Sequence, residues 1–177
     1  MKLKMKDCAK ILSLASIVAT AMLPVSVEAQ NFSQYYILRA KHSDKCFHVI
    51  GDRGRGNGVP ITQWECVEQP NVQWKLVKAP GESGYYFIKS RWSGRCAQVV
   101  ELSQQNGTAI TQWDCVNQDN VKWSLDKAGN GYYFIKAKHS NKCAQVVDLG
   151  QQNGTAITQW DCVNQDNVKW KLEPVSN

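Results

Sequence analysis

The 177-residue sequence lacks an apolar run long enough to cross a membrane as a helix. Its one extended apolar stretch, Ile11–Val25, is short and interrupted by a proline. A lysine-rich lead precedes it and small residues follow it at Val27 and Ala29, a pattern typical of a signal peptide cut after Ala29. We therefore expect residues 1–29 to be removed; the alternative interpretation of this segment is an N-terminal membrane anchor. The remainder, 30–177, should be secreted and extracellular, or periplasmic in a Gram-negative bacterium, with no membrane insertion.

Clusters of basic residues are absent after this lead. Residues 30–177 contain 17 Lys and Arg against 13 Asp and Glu, which gives a net charge of +4 spread along the chain. Such a mild excess affects solubility and does not form the basic patch that nucleic-acid binding requires. We expect no nucleic-acid partner.

Motifs of metal, nucleotide or hydrolytic chemistry are also missing. The cysteines do not form the CxxC-like clusters of zinc sites, and no glycine-rich loop has the spacing that holds a phosphate. No Ser, His and Asp group can be assembled for nucleophilic catalysis. We expect no metal, no cofactor and no enzymatic activity.

The sequence does contain one unit repeated three times, at about residues 35–84, 85–131 and 132–177. Each unit opens on two tyrosines and passes through a turn to a cysteine. An Asn-Gly pair, an Ile-Thr-Gln-Trp segment and a closing Asn-x-x-Trp follow. The closing segments are Asn71–Trp74, Asn120–Trp123 and Asn167–Trp170. Self-similarity at this period indicates a repeat architecture.

Six cysteines lie in residues 30–177, two in each unit. The pairs are Cys46 and Cys66, Cys96 and Cys115, and Cys143 and Cys162, separated by 20, 19 and 19 positions. Because the three spacings are nearly equal, we expect each pair to form a disulfide within its own unit, as an exported chain allows. Each bridge should stabilise the fold by about 3 kcal/mol through loop closure.

Each unit should fold into four short β-strands. Apolar and β-branched residues alternate in segments such as 86–89, and Asn-Gly between two apolar segments is typical of a hairpin. Twelve short strands without helical periodicity predict a closed or capped all-β fold. Threefold closure would bring repeat-equivalent apolar residues together in one core. These are Trp74, Trp123 and Trp170, with Ile61, Ile110 and Ile157.

The order of two cysteines about 19 positions apart, the second of them in Trp-Asp-Cys (Trp-Glu-Cys in the first unit), and a closing Asn-x-x-Trp resembles the ricin-B-type β-trefoil lectins and carbohydrate-binding modules. The resemblance covers about residues 35–172. It implies a β-trefoil of three tandem repeats with pseudo-threefold symmetry and one disulfide per repeat. It also implies multivalent binding of polysaccharides or glycoconjugates at shallow, repeat-related sites.

In that family, one sugar is bound by three residues of a repeat. They are an acidic residue two positions after the first cysteine, an aromatic residue two positions before the second, and an Asn three positions before the closing Trp. The matching residues of the second and third units are Gln98, Trp113 and Asn120, and Gln145, Trp160 and Asn167. Those of the first unit are His48, Trp64 and Asn71, which are weaker candidates because this unit has diverged.

The acidic residue of the family is missing from all three units. Glutamine still donates and accepts hydrogen bonds, but the charge-assisted bond, roughly twice as strong as a neutral one, is lost. We therefore expect weak binding at each site. In the alternative interpretation, the same Trp residues only pack on the disulfides and the Asn side chains only bind turn backbone.

Two other functions compete with glycan binding. The basic, glycine-rich segment Gly51–Gly58 is not repeated, and it would suit a protein-binding β-trefoil that acts like a protease inhibitor. An enzyme would need paired carboxylates. The candidates Glu65, Asp114 and Asp161 are repeat-equivalent, so threefold symmetry would place them on different faces. Whether a toxin or enzyme chain accompanies the protein is unknown from the sequence.

Overall fold

The computed structural model describes residues 34–51 and 54–176, which form twelve strands. The predicted signal peptide lies outside the described residues. The strands are β1 (Tyr35–Ala40), β2 (Cys46–Val49), β3 (Ile61–Trp64), β4 (Gln73–Lys78), β5 (Tyr86–Ser90), β6 (Cys96–Val99), β7 (Ile110–Trp113), β8 (Trp123–Gly129), β9 (Tyr132–Ala137), β10 (Cys143–Val146), β11 (Ile157–Trp160) and β12 (Lys169–Pro174). Within the described part of the chain no α-helix occurs, and no helix is long and apolar enough to cross a membrane.

Six of the strands close into an antiparallel barrel. Strand β1 pairs with β4, β4 with β5, β5 with β8, β8 with β9, β9 with β12, and β12 again with β1. Each repeat contributes its first and last strand to this ring, so no repeat can complete the barrel alone. Closure removes the exposed edges that an open sheet of this size would have.

The other six strands form three hairpins that cover one end of the barrel. The hairpins are β2–β3, β6–β7 and β10–β11. Isolated bridges join each hairpin to the other two, through Pro60 and Thr111, Thr62 and Ala156, and Ala109 and Thr158. A six-stranded barrel capped by three hairpins is a β-trefoil, as the sequence predicts.

The core contains the residues that the repeats place at equivalent positions. Trp74, Trp123 and Trp170 are buried, as are the three predicted isoleucines. Each indole N–H donates to a backbone carbonyl of the hairpin in its own repeat, at 2.7 to 2.8 Å from Phe47, Ala97 and Ala144. Because a buried indole needs such a partner, these contacts explain how three large polar-tipped rings fit in one apolar interior.

The disulfide prediction is confirmed. Cys46 bonds Cys66, Cys96 bonds Cys115 and Cys143 bonds Cys162, with Cα atoms 5.2, 5.1 and 5.1 Å apart. Each bond joins the start of a hairpin to the residues just after its second strand. The chain beyond each hairpin is thereby held near the place where it re-enters the barrel.

Candidate functional site

The three tryptophans that precede the second cysteine of each repeat lie on the surface. Trp64, Trp113 and Trp160 end the second strand of each hairpin and are 39, 38 and 39% exposed. The three residues before each of them are buried. Tryptophan is therefore buried at the closing position of each repeat but exposed at the end of the second hairpin strand, where solvent can reach a face of the indole.

The asparagine of each site lies in a short 3-10 turn before the last strand of its repeat. Asn120 and Asn167 are each only 3% exposed. The amide nitrogen of Asn120 donates to the Gln98 side-chain oxygen at 3.1 Å and to the Val99 carbonyl at 2.8 Å. The equivalent bonds of Asn167, to Gln145 and Val146, measure 3.2 and 2.9 Å. These amides bind strand backbone, and not the turn backbone of the alternative interpretation.

The oxygen of each of these asparagines lacks a protein partner. The Oδ1 atoms of Asn71, Asn120 and Asn167 are buried and accept no hydrogen bond from the described residues. A buried amide oxygen without a donor is costly, and this one recurs at the same position in all three repeats. A donor supplied from outside the chain, such as a hydroxyl group, would complete each of them.

The glutamines that replace the family's acidic residue are held in place. The Gln98 amide nitrogen donates to the Thr111 hydroxyl at 3.3 Å, and Gln145 donates likewise to Thr158. Both glutamines lie on the first strand of a hairpin and are buried. The structure therefore brings Gln98 and Asn120 into direct contact, which their separation of 22 positions does not disclose.

In the second repeat these side chains line one open groove of about 570 Å³. Its walls include all three predicted residues of that repeat. The lining residues are Gly58, Gln98, Val100, Glu101, Leu102, Thr111, Trp113, Gln118 and Asn120. The groove combines an exposed aromatic face with polar groups at its base, an arrangement typical of a shallow binding site.

The first repeat differs at the same place. The His48 ring lies 5.3 Å from the Trp64 ring, centroid to centroid, and its Nε2 accepts from the Asn71 amide at 3.0 Å. A smaller cavity of about 260 Å³ occurs beside Asn71, and Trp92 of the next repeat forms part of its wall. The divergence seen in the sequence therefore changes both the polar base and the space above it.

Each groove is built by two repeats. Gly58 of the first repeat lines the groove of the second. At the equivalent places, a Cβ atom on Gly107 would lie 3.9 Å from Trp160, and one on Gly154 would lie 4.0 Å from Trp64. All three glycines have φ between +80 and +84°, the left-handed region that glycine adopts without steric cost. The Asn-Gly pair lies inside a longer connection between the hairpin strands, such as residues 100–109 of the second repeat, and does not join the strands as a two-residue turn. The Asn-Gly turn of one repeat thus borders the tryptophan of another.

The carboxylates beside these tryptophans are engaged in contacts between repeats. Asn57 donates to Asp114 at 2.8 Å, and Asn106 donates to Asp161 at the same distance. The Asn57 bond, with the Arg95 guanidinium, lowers the pKa of Asp114. Lys142 at 2.5 Å is the main cause that lowers the pKa of Asp161, and the Asn106 bond adds to it. They therefore stabilise the junctions between repeats.

A turn histidine in the first and third repeats also joins neighbouring repeats. The Nε2–H groups of His42 and His139 donate to the carbonyl oxygens of Gly150 and Ser103, at 3.0 and 2.9 Å. Both rings are half-buried, so these two residues form structural contacts between repeats.

The described end of the Gly51–Gly58 segment contacts the second repeat. The Arg55 guanidinium lies 4.0 Å from the centroid of the Trp92 ring, and the Arg55 carbonyl accepts from Arg95 at 2.5 Å. The Gly56 carbonyl accepts from the Gln112 amide at 2.6 Å. These bonds hold residues 55 and 56 against the body of the protein, whereas an inhibitory loop has to project from it.

Comparison with known proteins agrees with the β-trefoil fold. The profile of the ricin-type β-trefoil lectin domain-like family matches residues 25–113, 70–160 and 119–177. The chain belongs to this family. The designed threefold-symmetric protein ThreeFoil is similar to it, with 31% identity over 80% of this chain and 99% of ThreeFoil, and a TM-score of 0.76.

Two natural proteins of known structure also share this ricin-type fold. An exo-β-1,3-galactanase from Clostridium thermocellum is 31% identical over 81% of this chain, with a TM-score of 0.76, but the chain spans only 30% of the galactanase. The Rhizoctonia solani agglutinin is 19% identical over 86% of this chain and all of its own, with a TM-score of 0.72, which shows a common fold. No curated protein matches the sequence.

Two features of this ricin-type β-trefoil were not found by sequence reasoning. The buried glutamines Gln63, Gln112 and Gln159 bind backbone carbonyls of other repeats. The side chains of Glu101 and Leu102 enter the wall of the second groove from a turn with positive φ angles. The glutamines recur in the repeated Ile-Thr-Gln-Trp segment, which could have pointed to a shared role. Glu101 and Leu102 belong to none of the motifs that carry the family resemblance.

Proposed function

We propose that the protein is a secreted, non-enzymatic lectin that binds glycans through repeat-related surface grooves. The grooves of the second and third repeats would be the main sites, with Gln98, Trp113 and Asn120 in one and Gln145, Trp160 and Asn167 in the other. The first repeat, with His48, Trp64 and Asn71, would contribute less. Family membership and the similarity to an agglutinin support binding of carbohydrate.

The observation that carries the proposal is the repeated pairing of an exposed indole with a buried, unfilled amide oxygen. The pair occurs at Trp113 and Asn120, at Trp160 and Asn167, and also at Trp64 and Asn71, where His48 lies beside the indole. A pyranose has an apolar C–H face and a rim of hydroxyl groups. Its C–H groups would pack on the electron-rich indole face while a hydroxyl donates to the asparagine oxygen.

Binding at one groove should be weak. The grooves are open and shallow, and the amide pair at each base supplies only neutral hydrogen bonds. Several such sites on one disulfide-bonded scaffold would gain avidity on a polysaccharide or a clustered glycoconjugate, because the second contact forms at a high effective concentration. The proposed function is therefore multivalent recognition of polymers or surfaces.

A binding role is preferred over catalysis because the repeat-equivalent carboxylates already have partners. Asp114 and Asp161 each bind an asparagine and a cation, and Glu65 accepts from Asn153 at 3.2 Å. Similarity to the galactanase covers only part of that enzyme. We propose that this chain carries out recognition, whether or not a catalytic or toxin chain accompanies it.

The test is a glycan array that includes insoluble polysaccharides. It compares residues 30–177 with the double variant Trp113→Ala/Trp160→Ala and, as a matched control, Trp64→Ala. The double variant should lose binding, whereas the control should lose little because His48 lies beside Trp64. Unchanged binding by the double variant would reject these grooves. An absence of binding by the folded, disulfide-bonded wild type would reject the lectin proposal and leave a protein partner as the next hypothesis.

A further inference from the structure

One turn in each of the second and third repeats has an unusual backbone. Glu101 and Leu102 have φ angles of 53 and 55°, and Asp148 and Leu149 have φ angles of 50 and 54°. Such left-handed conformations are unfavourable for residues other than glycine, and a bulky residue rarely adopts them. Two consecutive residues in this state, conserved in position between two repeats of one chain, represent strain that the surrounding structure maintains. Strain of this kind concentrates at functional sites.

The strained pair of the second repeat lies at the proposed sugar groove. Glu101 and Leu102 line the same cavity as Trp113 and Asn120. Leu102 is 49% exposed and Leu149 is 50% exposed, more than any of the groove tryptophans. The turn therefore adds an exposed apolar side chain and a carboxylate to a groove that already has an aromatic face and a polar base.

The carboxylates of this turn have no partners of their own. Glu101 and Asp148 are exposed and form no hydrogen bond or ion pair with any other residue in the described ranges. By contrast, Asp114 and Asp161 are occupied by contacts between repeats. At the groove of the second repeat, Glu101 is thus the carboxylate left available to a ligand. The first repeat has Gly51 at the position of Glu101.

From this arrangement, and resting on the proposed function, we propose that Glu101 and Asp148 supply the charge-assisted acceptor that Gln98 and Gln145 have lost, and that they select neutral pyranosides over anionic ones. The carboxylate and the unfilled asparagine oxygen are both acceptors, so the ligand must bring hydroxyl hydrogens. Leu102 and Leu149 would add apolar contact for the sugar ring. A uronic or sialic acid would place its own carboxylate near that of the turn, and like charges repel.

The same arrangement makes the protein functionally bivalent. The second and third repeats have the acidic residue and the leucine, whereas the first repeat has Gly51 in place of the acidic residue and has His48 beside its tryptophan, Trp64. At Gly51, an added Cβ atom would lie only 3.3 Å from the Asn71 amide nitrogen. The net charge of residues 30–177, +4, would favour acidic polymers. Selection of neutral sugars would therefore be a property of the grooves and not of the protein's net charge.

The experiment uses residues 30–177 with Trp64→Ala and Trp160→Ala, so that only the second groove remains. Glu101→Gln is compared with Glu68→Gln, which removes the same charge at an exposed residue outside that groove. The probes are lactose and xylo- and cello-oligosaccharides, beside the same cores carrying uronic or sialic acid. Glu101→Gln should weaken binding to the best neutral probe about tenfold. It should also reduce the ratio of the affinity for that neutral probe to the affinity for its anionic form. Glu68→Gln should change neither value more than about twofold.

A second variant separates binding from folding. Leu102→Gly removes the apolar side chain that would contact the sugar ring, so it should weaken binding. Because glycine adopts the left-handed conformation without strain, the Tm should not fall. Unchanged neutral binding by Glu101→Gln, with binding still abolished by Trp113→Ala, would overturn the assignment of Glu101 and leave the lectin proposal standing. A preference of the parent protein for the anionic probes would also overturn it. Failure of the parent to bind any probe, with the wild type also inactive on the array, would reject both proposals.

Discussion

Replacement of Gln159 by alanine tests how far the stability of one repeat depends on another. This glutamine is fully buried under the hairpin cap. Its amide nitrogen donates to the carbonyls of Ser103 and Gln105 in the preceding repeat, at 2.7 and 2.9 Å. Its oxygen accepts from the Ser140 hydroxyl of its own repeat at 2.7 Å. One side chain thus joins three segments that are far apart in sequence.

The expected cost follows from these three hydrogen bonds. Each contributes about 1 kcal/mol net, and loss of the amide leaves two carbonyls and a hydroxyl to find new partners in a buried place. We expect Gln159→Ala to lower the free energy of unfolding by about 3 kcal/mol. For a domain of about 150 residues this corresponds to a fall in Tm of about 6–12 °C.

The assay is equilibrium unfolding in guanidinium chloride with the disulfides intact, supported by calorimetry. Gln104→Ala is the matched control, because Gln104 is exposed and forms one bond, to the His139 carbonyl at 2.8 Å. The control should change stability by less than about 0.5 kcal/mol. A loss below about 1 kcal/mol in Gln159→Ala would refute the reasoning, since it would mean that water or neighbouring groups replace all three bonds.

Three further predictions concern charge, backbone and disulfides. Hydrogen bonds from Lys122 and Lys138 lower the pKa of Glu82 below its usual 4.5. The stabilisation they provide is therefore complete above pH 4.5 and is lost as the pH falls through the folded-state pKa. Glu82→Gln should reduce the loss of unfolding free energy at acid pH, as measured by unfolding titrations at several pH values. Gly107→Ala, at a φ of +82°, should destabilise by about 1–2 kcal/mol in thermal unfolding, and an unchanged Tm would contradict the positive-φ argument. Replacement of Cys143 and Cys162 together by serine should lower the free energy of unfolding by about 3 kcal/mol in denaturant titrations, and a loss under about 1 kcal/mol would contradict the loop-closure estimate.

Much of the fold was predictable because the same sequence pattern occurs in three repeats. The equal cysteine spacings gave the disulfide pairing. The hairpins form as predicted, but each Asn-Gly pair lies inside a longer connection and does not join the two strands directly. The repeat also separated two kinds of tryptophan. Trp123 closes the repeat and is buried, whereas Trp113 ends a hairpin strand and is exposed. Family resemblance placed the three predicted residues of the second repeat in what proved to be one groove.

The contacts between repeats were not predictable in this way. When three similar units meet, many donors have an equivalent acceptor in each copy, and local patterns do not say which copy a donor will meet. Asn57 binds Asp114 across 57 positions, and the amide of Gln63 reaches the Gly150 carbonyl across 87. Only closure of the barrel decides these pairings, because it fixes which turn borders which hairpin.

The sequence by itself determined the repeat, the disulfides, the strand order and the residue types available for binding, since all of these depend on spacing and on local propensity. The tertiary structure alone decided how the groove is completed. Gly58 reaches it from the preceding repeat, and Glu101 and Leu102 reach it through a left-handed turn that no glycine marks. Strain of that kind costs free energy locally and persists because the barrel and its hairpin cap hold the turn, so it is a property of the assembled fold and not of the segment.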